Sequence, residues 1–187
     1  MKPEKTPVTT RIENALLAIT AKGLPLTHDV VAAEAGTSRR TVYRRYADQA
    51  ALRRAVWALL SPVGVMQGDL EWLLGPGLDE TFGAFDANAA AMTAAMASPE
   101  GRAIRNQKTA DRVAYYRRLY AQELEHIPEP ARTRALAVLQ LQSSGLAWRE
   151  MRDQWDLAAP DMAAGARWAI RTLLKALAEG SSPDDVG

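Results

Sequence analysis

Apolar positions along this chain recur every three or four residues, the spacing of one face of an α-helix, and no strand-like alternation interrupts them. Ile12, Leu16 and Ile19 form the first such face, with Thr9 or Thr10 as the expected cap and Gly23 as the stop. Leu24-Pro25-Leu26 reads as a short extended connector. Thr27 then caps a second helix through Asp29, Val31, Ala32 and Ala35, which Gly36 ends in a tight turn. Ser38 caps a third, in which Val42 and Tyr46 share a face. Asp48 caps a fourth, with Leu52, Val56, Leu59 and Leu60 in register and Ser61-Pro62 as its close.

Further along, Asp69 to Leu74 predicts a short helix before a break at Gly75-Pro76-Gly77. Phe82, Phe85, Ala89, Met92 and Met96 then predict one continuous stripe, with Asp79 and Glu80 in its first turn. Ser98-Pro99-Glu100 opens the next helix, with a break near Asn106 and a stripe of Val113, Tyr116, Tyr120, Leu124 and Ile127 running to Pro128. From Ala131 to about Trp155 one helix is expected with two apolar faces. One face carries Leu136, Leu139 and Leu146, the other Val138, Leu141, Trp148 and Trp155. Pro160 opens the last helix, with Ala166, Ile170, Leu173 and Leu177 in register and Gly180 as its end. The expected fold is all-α: a three-helix head over 1–47, a linking helix over 48–61, a helical bundle over 62–180 and a disordered tail over 181–187. The first few residues are also expected to be disordered.

Charge changes the picture at the third helix. Arg39, Arg40, Arg44 and Arg45 cluster there, and residues 1–60 hold 10 Lys and Arg against 5 Asp and Glu. The rest holds 13 against 17, so a net charge of +1 hides a basic end and an acidic one. Two short helices meeting at a glycine turn, with small Ala32 at the crossing and arginines on the second, form the pattern of a DNA-binding helix-turn-helix. The second helix would enter the major groove.

Composition narrows the rest. A chain of 187 residues, 48% hydrophobic and 24% charged, suits a globular protein with one core or a small module on a larger one. With no cysteine, disulfides, thiolate catalysis and cysteine zinc sites are excluded, and a cytoplasmic location is expected. MKPEKTPVTTR lacks the apolar core of a signal peptide, and no run of about 18 apolar residues offers a membrane span. His28 and His126 are too distant in sequence to make a metal site on their own, and no metal or cofactor is expected. Glu123, Glu125, His126, Glu150, Asp153 and Asp156 leave a metal-dependent or acid/base enzyme in a helical bundle as an alternative. Against it, no paired Glu-x-x-His, Gly-Lys phosphate loop or nucleophile elbow occurs. A protein-binding adaptor is a further alternative.

Val30 to Trp57, VVAAEAGTSRRTVYRRYADQAALRRAVW, resembles the TetR (tetracycline repressor-like) family of transcriptional regulators. Ala35-Gly36, Ser38, Thr41, Tyr43, Tyr46 and Leu52 stand at the matching positions, while Arg40 replaces a small residue or glycine and Gln49 a phosphate-facing lysine. The resemblance implies a regulator, most often a repressor, in which Ser38, Thr41 and Tyr43 touch the DNA backbone and the body takes a small effector. Candidate DNA contacts are Thr27, Ser38, Arg39, Arg40, Thr41, Tyr43, Arg44 and Gln49, with Arg39 and Arg40 reaching base edges. The doubly apolar helix has more to bury than one small body covers, which predicts a homodimer through residues 131–155 and 161–179 and a palindromic double-stranded operator. An effector pocket is expected between the Phe82–Met96 and Val113–Ile127 helices. Its candidate residues are Phe85, Met92, Met96, Tyr116, Tyr120 and Trp148, and its ligand is largely apolar because those stripes carry few charges.

Overall fold

A computed structural model of the chain describes residues 6–61 and 66–185. The fold is all-α, with no strand among the described residues and no helix among them long and apolar enough to cross a membrane. In chain order the helices are α1 (Val8–Ala21), α2 (His28–Glu34), α3 (Arg39–Arg45), α4 (Gln49–Leu60), α5 (Leu70–Trp72), a widened turn over Leu73–Gly77, α6 (Leu78–Ala87), α7 (Ala89–Ala97), α8 (Pro99–Asn106), α9 (Thr109–Leu119), α10 (Ala131–Gln142), α11 (Gly145–Trp155) and α12 (Ala159–Ala178). They form two compact units. One combines the chain up to Ser61 with Asn88–Lys108, and the other combines the segment ending at Ala87 with everything from Thr109 onward.

In the first unit α1 is the central element, touching α2, α4 and α7 and burying Ile12, Leu16 and Ile19 completely. It begins at Val8 rather than after Thr9 or Thr10: Pro7 occupies the capping position, and its carbonyl accepts from the Arg11 amide at 3.1 Å. Its other end follows the sequence: Gly23 adopts φ +64°, a left-handed conformation that lets the Leu24 amide reach back to the Ile19 carbonyl. Thr27, Ser38, Asp48 and Ser98 each cap the helix expected of them, accepting from the amides of Val30, Thr41, Ala51 and Gly101. Pro62, expected to close α4, lies outside the described residues.

The stripe from Phe82 to Met96 is not one helix. Asn88, at φ −120° and ψ 27°, leaves the helical region and separates α6 from α7. The sequence hides the break because Ala89–Ala97 is apolar on nearly every side and so carries no phase information. As a result α7 and α8, expected in the C-terminal body, pack with the head. There α7 lies on α1, and α8 meets α4, where Arg53 donates from Nε and Nη2 to the two carboxylate oxygens of Glu100 at 2.7 and 3.1 Å. Helices α7 and α8 approach closely at Gly101, where any Cβ would overlap the Ala95 carbonyl of α7.

In the second unit α12 packs on α6, α10 and α11. The expected helix from Ala131 to Trp155 is interrupted at Ser143-Ser144, where Ser144 caps α11 by accepting from the Ala147 amide at 3.2 Å. Of its apolar residues, Leu136, Leu139 and Trp148 are buried, whereas Val138, Leu141, Leu146 and Trp155 remain exposed. Arg167 of α12 secures the broken backbone at Gly75, donating to the carbonyls of Leu74 and Gly75 at 2.8 and 2.9 Å and pairing with Asp79. The stripe expected to run helically to Ile127 leaves the helix after Leu119, yet Tyr120, Leu124 and Ile127 are all buried. The segment after Gly180, expected to be disordered, is placed as far as Asp185, with Asp184 paired to Arg134 and the Asp185 carboxylate accepting from the Ser182 amide. Val186 and Gly187 lie outside the described residues.

Candidate nucleic-acid interface

The turn joining α2 to α3 is closed by two backbone bonds and by one side chain of α1. Gly36 at φ +58° lets its own amide reach Ala33 and the Thr37 amide reach Ala32, at 3.2 and 3.0 Å. Arg11 of α1 closes the same turn from behind, its Nη1 donating to the carbonyls of both Ala35 and Gly36 at 3.1 Å. A positive charge at a helix C-terminus is the favourable sign there. With both helices thus fixed, Val42 anchors α3 at zero exposure.

Burial of Val42 decides where the arginines go. Arg40 and Arg44 stand two residues either side of it, on the opposite face, exposed and without an ion pair or hydrogen bond among the described residues. Arg45 lies 3.7 Å from Glu13 of α1. Arg39 is held most closely: its Nε is 3.2 Å from Asp29 of α2, its Nη2 donates to the Tyr43 hydroxyl at 3.3 Å, and its guanidinium lies 5.3 Å from the centre of the Tyr43 ring. These contacts, the Tyr43 hydroxyl first and the Asp29 charge after it, raise the pKa of Arg39.

Tyr43 is in turn stacked on buried His28, whose Nε2 lies 2.7 Å from the Tyr46 carbonyl at the end of α3. A carbonyl only accepts, so Nε2 carries the proton. An open cleft of about 420 Å³ runs along these groups, lined by Thr27, His28, Asp29, Arg39, Tyr43 and Gln49 among others.

All eight candidate contacts lie on this one unit, and they divide by what their side chains already do. Thr27 is occupied as the α2 cap, and Gln49 donates to the Leu26 carbonyl at 3.1 Å. Ser38 and Thr41 hydroxyls bond each other at 2.8 Å while Ser38 also caps α3. Arg39 and Tyr43 form the bracketed pair just described, and Arg40 and Arg44 project outward. His28, Asp29 and Arg11 belong to the same constellation and were absent from the candidates. His28 and Asp29 sit in the first turn of α2 directly after its cap, but no spacing rule in the sequence pairs them with Tyr43 and Arg39.

The six effector candidates fall into three groups. Phe85 and Trp148 meet edge to face at 5.9 Å inside the second unit, where the Trp148 indole donates to Asp86 at 2.7 Å and Arg152 lies over the ring at 4.2 Å. Tyr116 and Tyr120 stack at 6.4 Å in that unit, and the Tyr116 hydroxyl bonds Ser143 at 2.8 Å. Met92 and Met96 lie on α7 in the first unit. The single helix expected to unite Phe85 with both methionines does not form.

A cleft of about 130 Å³ in the second unit runs between α9 and α10, walled by Val113, Tyr116, Leu136 and Ala137 with Arg117 and Gln140 as polar members. Beside it, Glu129 bonds the Thr133 hydroxyl at 2.7 Å, which with nearby Arg117 and Arg132 holds its carboxyl below the usual range. Among the described residues no three His, Asp or Glu side chains converge as they would around a metal ion. Compared with family models, curated proteins and solved structures, the chain matches none of them.

Proposed function

We propose that this protein is a homodimeric, sequence-specific DNA-binding regulator, a repressor of the TetR type released from a palindromic operator by a small, largely apolar effector. The observation that carries the reading is the α2–turn–α3 arrangement, in which a hydrogen-bonded turn presents Arg40 and Arg44 outward, without an ion pair among the described residues, opposite the buried Val42. Two unneutralised guanidiniums four residues apart are unfavourable in a free helix and become favourable against phosphate. Hydroxyls of Ser38 at the cap of that helix and of Thr41 and Tyr43 within it flank them and suit backbone contacts.

Dimerisation is supported by Trp155 and Trp168, 73% and 71% exposed, and by exposed Val138, Leu141 and Leu146 on α10 and α11. The effector part is supported by the mostly apolar walls of the α9–α10 cleft. At about 130 Å³ that cleft is well below the ~300–1,000 Å³ of ordinary ligand pockets, so an effector must be small or must widen it. Widening on binding is the differential interaction that release from DNA requires.

The test is selection of genomic fragments by the full-length chain, followed by mobility-shift titration of the selected sequence against random duplex. Enrichment of an inverted repeat, bound at least about 10³-fold more tightly than random duplex, is expected. Failure to retain any duplex at low salt sinks the reading.

A further inference from the structure

We propose that Asp29 is a positioning residue that makes Arg39 the base-discriminating side chain of α3, selective for guanine; this rests on the DNA-binding reading above. A guanidinium has two usable edges. In Arg39 the edge bearing Nε and Nη2 is engaged, Nε lying 3.2 Å from the Asp29 carboxylate and Nη2 3.3 Å from the Tyr43 hydroxyl. The other edge, the fork formed by its two Nη groups, keeps an N–H from each nitrogen. That fork matches the adjacent O6 and N7 acceptors of guanine in the major groove.

Both anchors stand on fixed ground. Asp29 is in the first turn of α2, whose ends are held by the Thr27 cap and by Arg11. Tyr43 lies flat on buried His28, and His28 is tied to the Tyr46 carbonyl. Arg40 and Arg44 have no such bracket. An arginine free to rotate meets phosphates of any sequence equally well, whereas one already fixed along one edge loses less freedom when it forks onto a single base.

Asp29 is an unusual residue to place beside a polyanion. Its pair with Arg39 is exposed, at 66% and 59%, where ion pairs add little to stability, so that pair acts in recognition, separately from the support Asp29 gives α2 as the acid of its first turn. A carboxylate there repels every phosphate backbone while aiming one guanidinium at one base. It therefore lowers affinity for all DNA and restores it only where guanine is present, which is specificity through a repulsive element.

The test compares full-length wild type, Asp29→Asn, Asp29→Glu, Arg39→Lys and the Asp29→Asn/Arg39→Lys double variant on the selected operator, on the operator with each guanine exchanged for adenine, and on random duplex. Wild type should depend on one guanine per half-site, and Arg39→Lys should remove that dependence. Asp29→Asn should bind random duplex more tightly, with a log-salt slope steeper by up to about 0.9, while its discrimination at that guanine falls on the order of 10-fold. Asp29→Glu should recover part of the discrimination, and the double variant should discriminate no worse than Arg39→Lys alone. The proposal is overturned if Asp29→Asn keeps full guanine discrimination, or if it weakens selected and random duplex alike, the signature of mere scaffolding. Wild type that binds its operator with no Arg39-dependent guanine overturns this inference alone. Wild type that retains no DNA overturns the regulator reading with it.

Discussion

The imidazole of His28 lies flat against the ring of Tyr43, with centroids 3.8 Å apart and planes 2° from parallel. His28 opens α2 and Tyr43 sits in the middle of α3, so this stack joins the two helices at the end remote from their connecting turn, and the bond from Nε2 to the Tyr46 carbonyl ends α3. His28→Ala should lose a stacked pair worth about 1 kcal/mol and a hydrogen bond worth about as much. His28→Phe should keep the stack and lose only the bond. Denaturant unfolding followed by helical circular dichroism should therefore order the stabilities wild type, Phe, Ala. A proton found on Nδ1 instead of Nε2 by nitrogen NMR would contradict the bond itself.

The tyrosines of the second unit should make the protein alkali-sensitive. Burial pushes Tyr115 up to about 12 and raises Tyr116 and Tyr120 as well. A folded-state value above the unfolded one, near 10, means that the folded chain retains protons the unfolded chain has lost. The stability these groups contribute is thus complete below pH ~10 and is lost as pH rises toward 12 and beyond. Unfolding free energy measured from pH 8 to 12 should fall above about pH 10. Tyr120 sharpens the test, because its hydroxyl is buried with no partner among the described residues. Tyr120→Phe should be neutral or stabilising by about 1 kcal/mol and should flatten the alkaline loss. A clear destabilisation would show that the hydroxyl is bonded after all.

Much of this fold was legible because helix ends announce themselves chemically. Thr27, Ser38, Asp48 and Ser98 all cap as their side chains allow, and Gly23, Gly36 and Gly180 all adopt the left-handed conformation that ends a helix. Even the split of the 131–155 segment had a signal, since Ser144 followed by Gly145 is a capping position like the others. The break at Asn88 had none: its side chain makes no capping bond, and the alanines after it fit any register. Nor could periodicity reveal that α7 belongs with α1, because which apolar faces meet depends on the whole packing. At the interface the arginine cluster was plain from residue type and spacing. Its internal division was not, since Asp29 and His28 reach α3 only through the tertiary turn at Gly36.

Self-association should follow from what the second unit leaves uncovered. Trp155 and Trp168 stand about three-quarters exposed, and tryptophans bury roughly 150–250 Å² each when covered. Two of them with Val138, Leu141 and Leu146 supply much of the ~800 Å² per partner that a stable interface needs. Light scattering at micromolar concentration should give twice the chain mass. Trp155→Glu combined with Trp168→Glu should give a folded monomer, since neither side chain supports the core of its own unit. A wild-type monomer would remove the dimer from the proposal, and with it the expected symmetry of the operator.

Arg40 and Arg44 should matter for binding and little for folding. They are four residues apart on one helix face with no acidic neighbour in contact among the described residues, a like-charge pair that destabilises a helix by about 0.2–0.5 kcal/mol. Arg44→Gln relieves that repulsion but also takes a favourable charge from the last turn of α3, so thermal stability should change by less than about 1 kcal/mol. The same substitution removes a phosphate partner, so affinity should fall on selected and random duplex together, and the log-salt slope should shrink by about 0.9 for each phosphate no longer neutralised. Arg40→Gln should likewise spare stability. With no contact among the described residues to aim it, Arg40 should act on phosphate as Arg44 does, so the guanine preference should survive the loss of affinity. Binding free energies measured across a salt series for both variants decide the matter. If either variant lost stability and DNA affinity in proportion, the arginine would be serving the fold and the outward face of α3 would not be the binding surface.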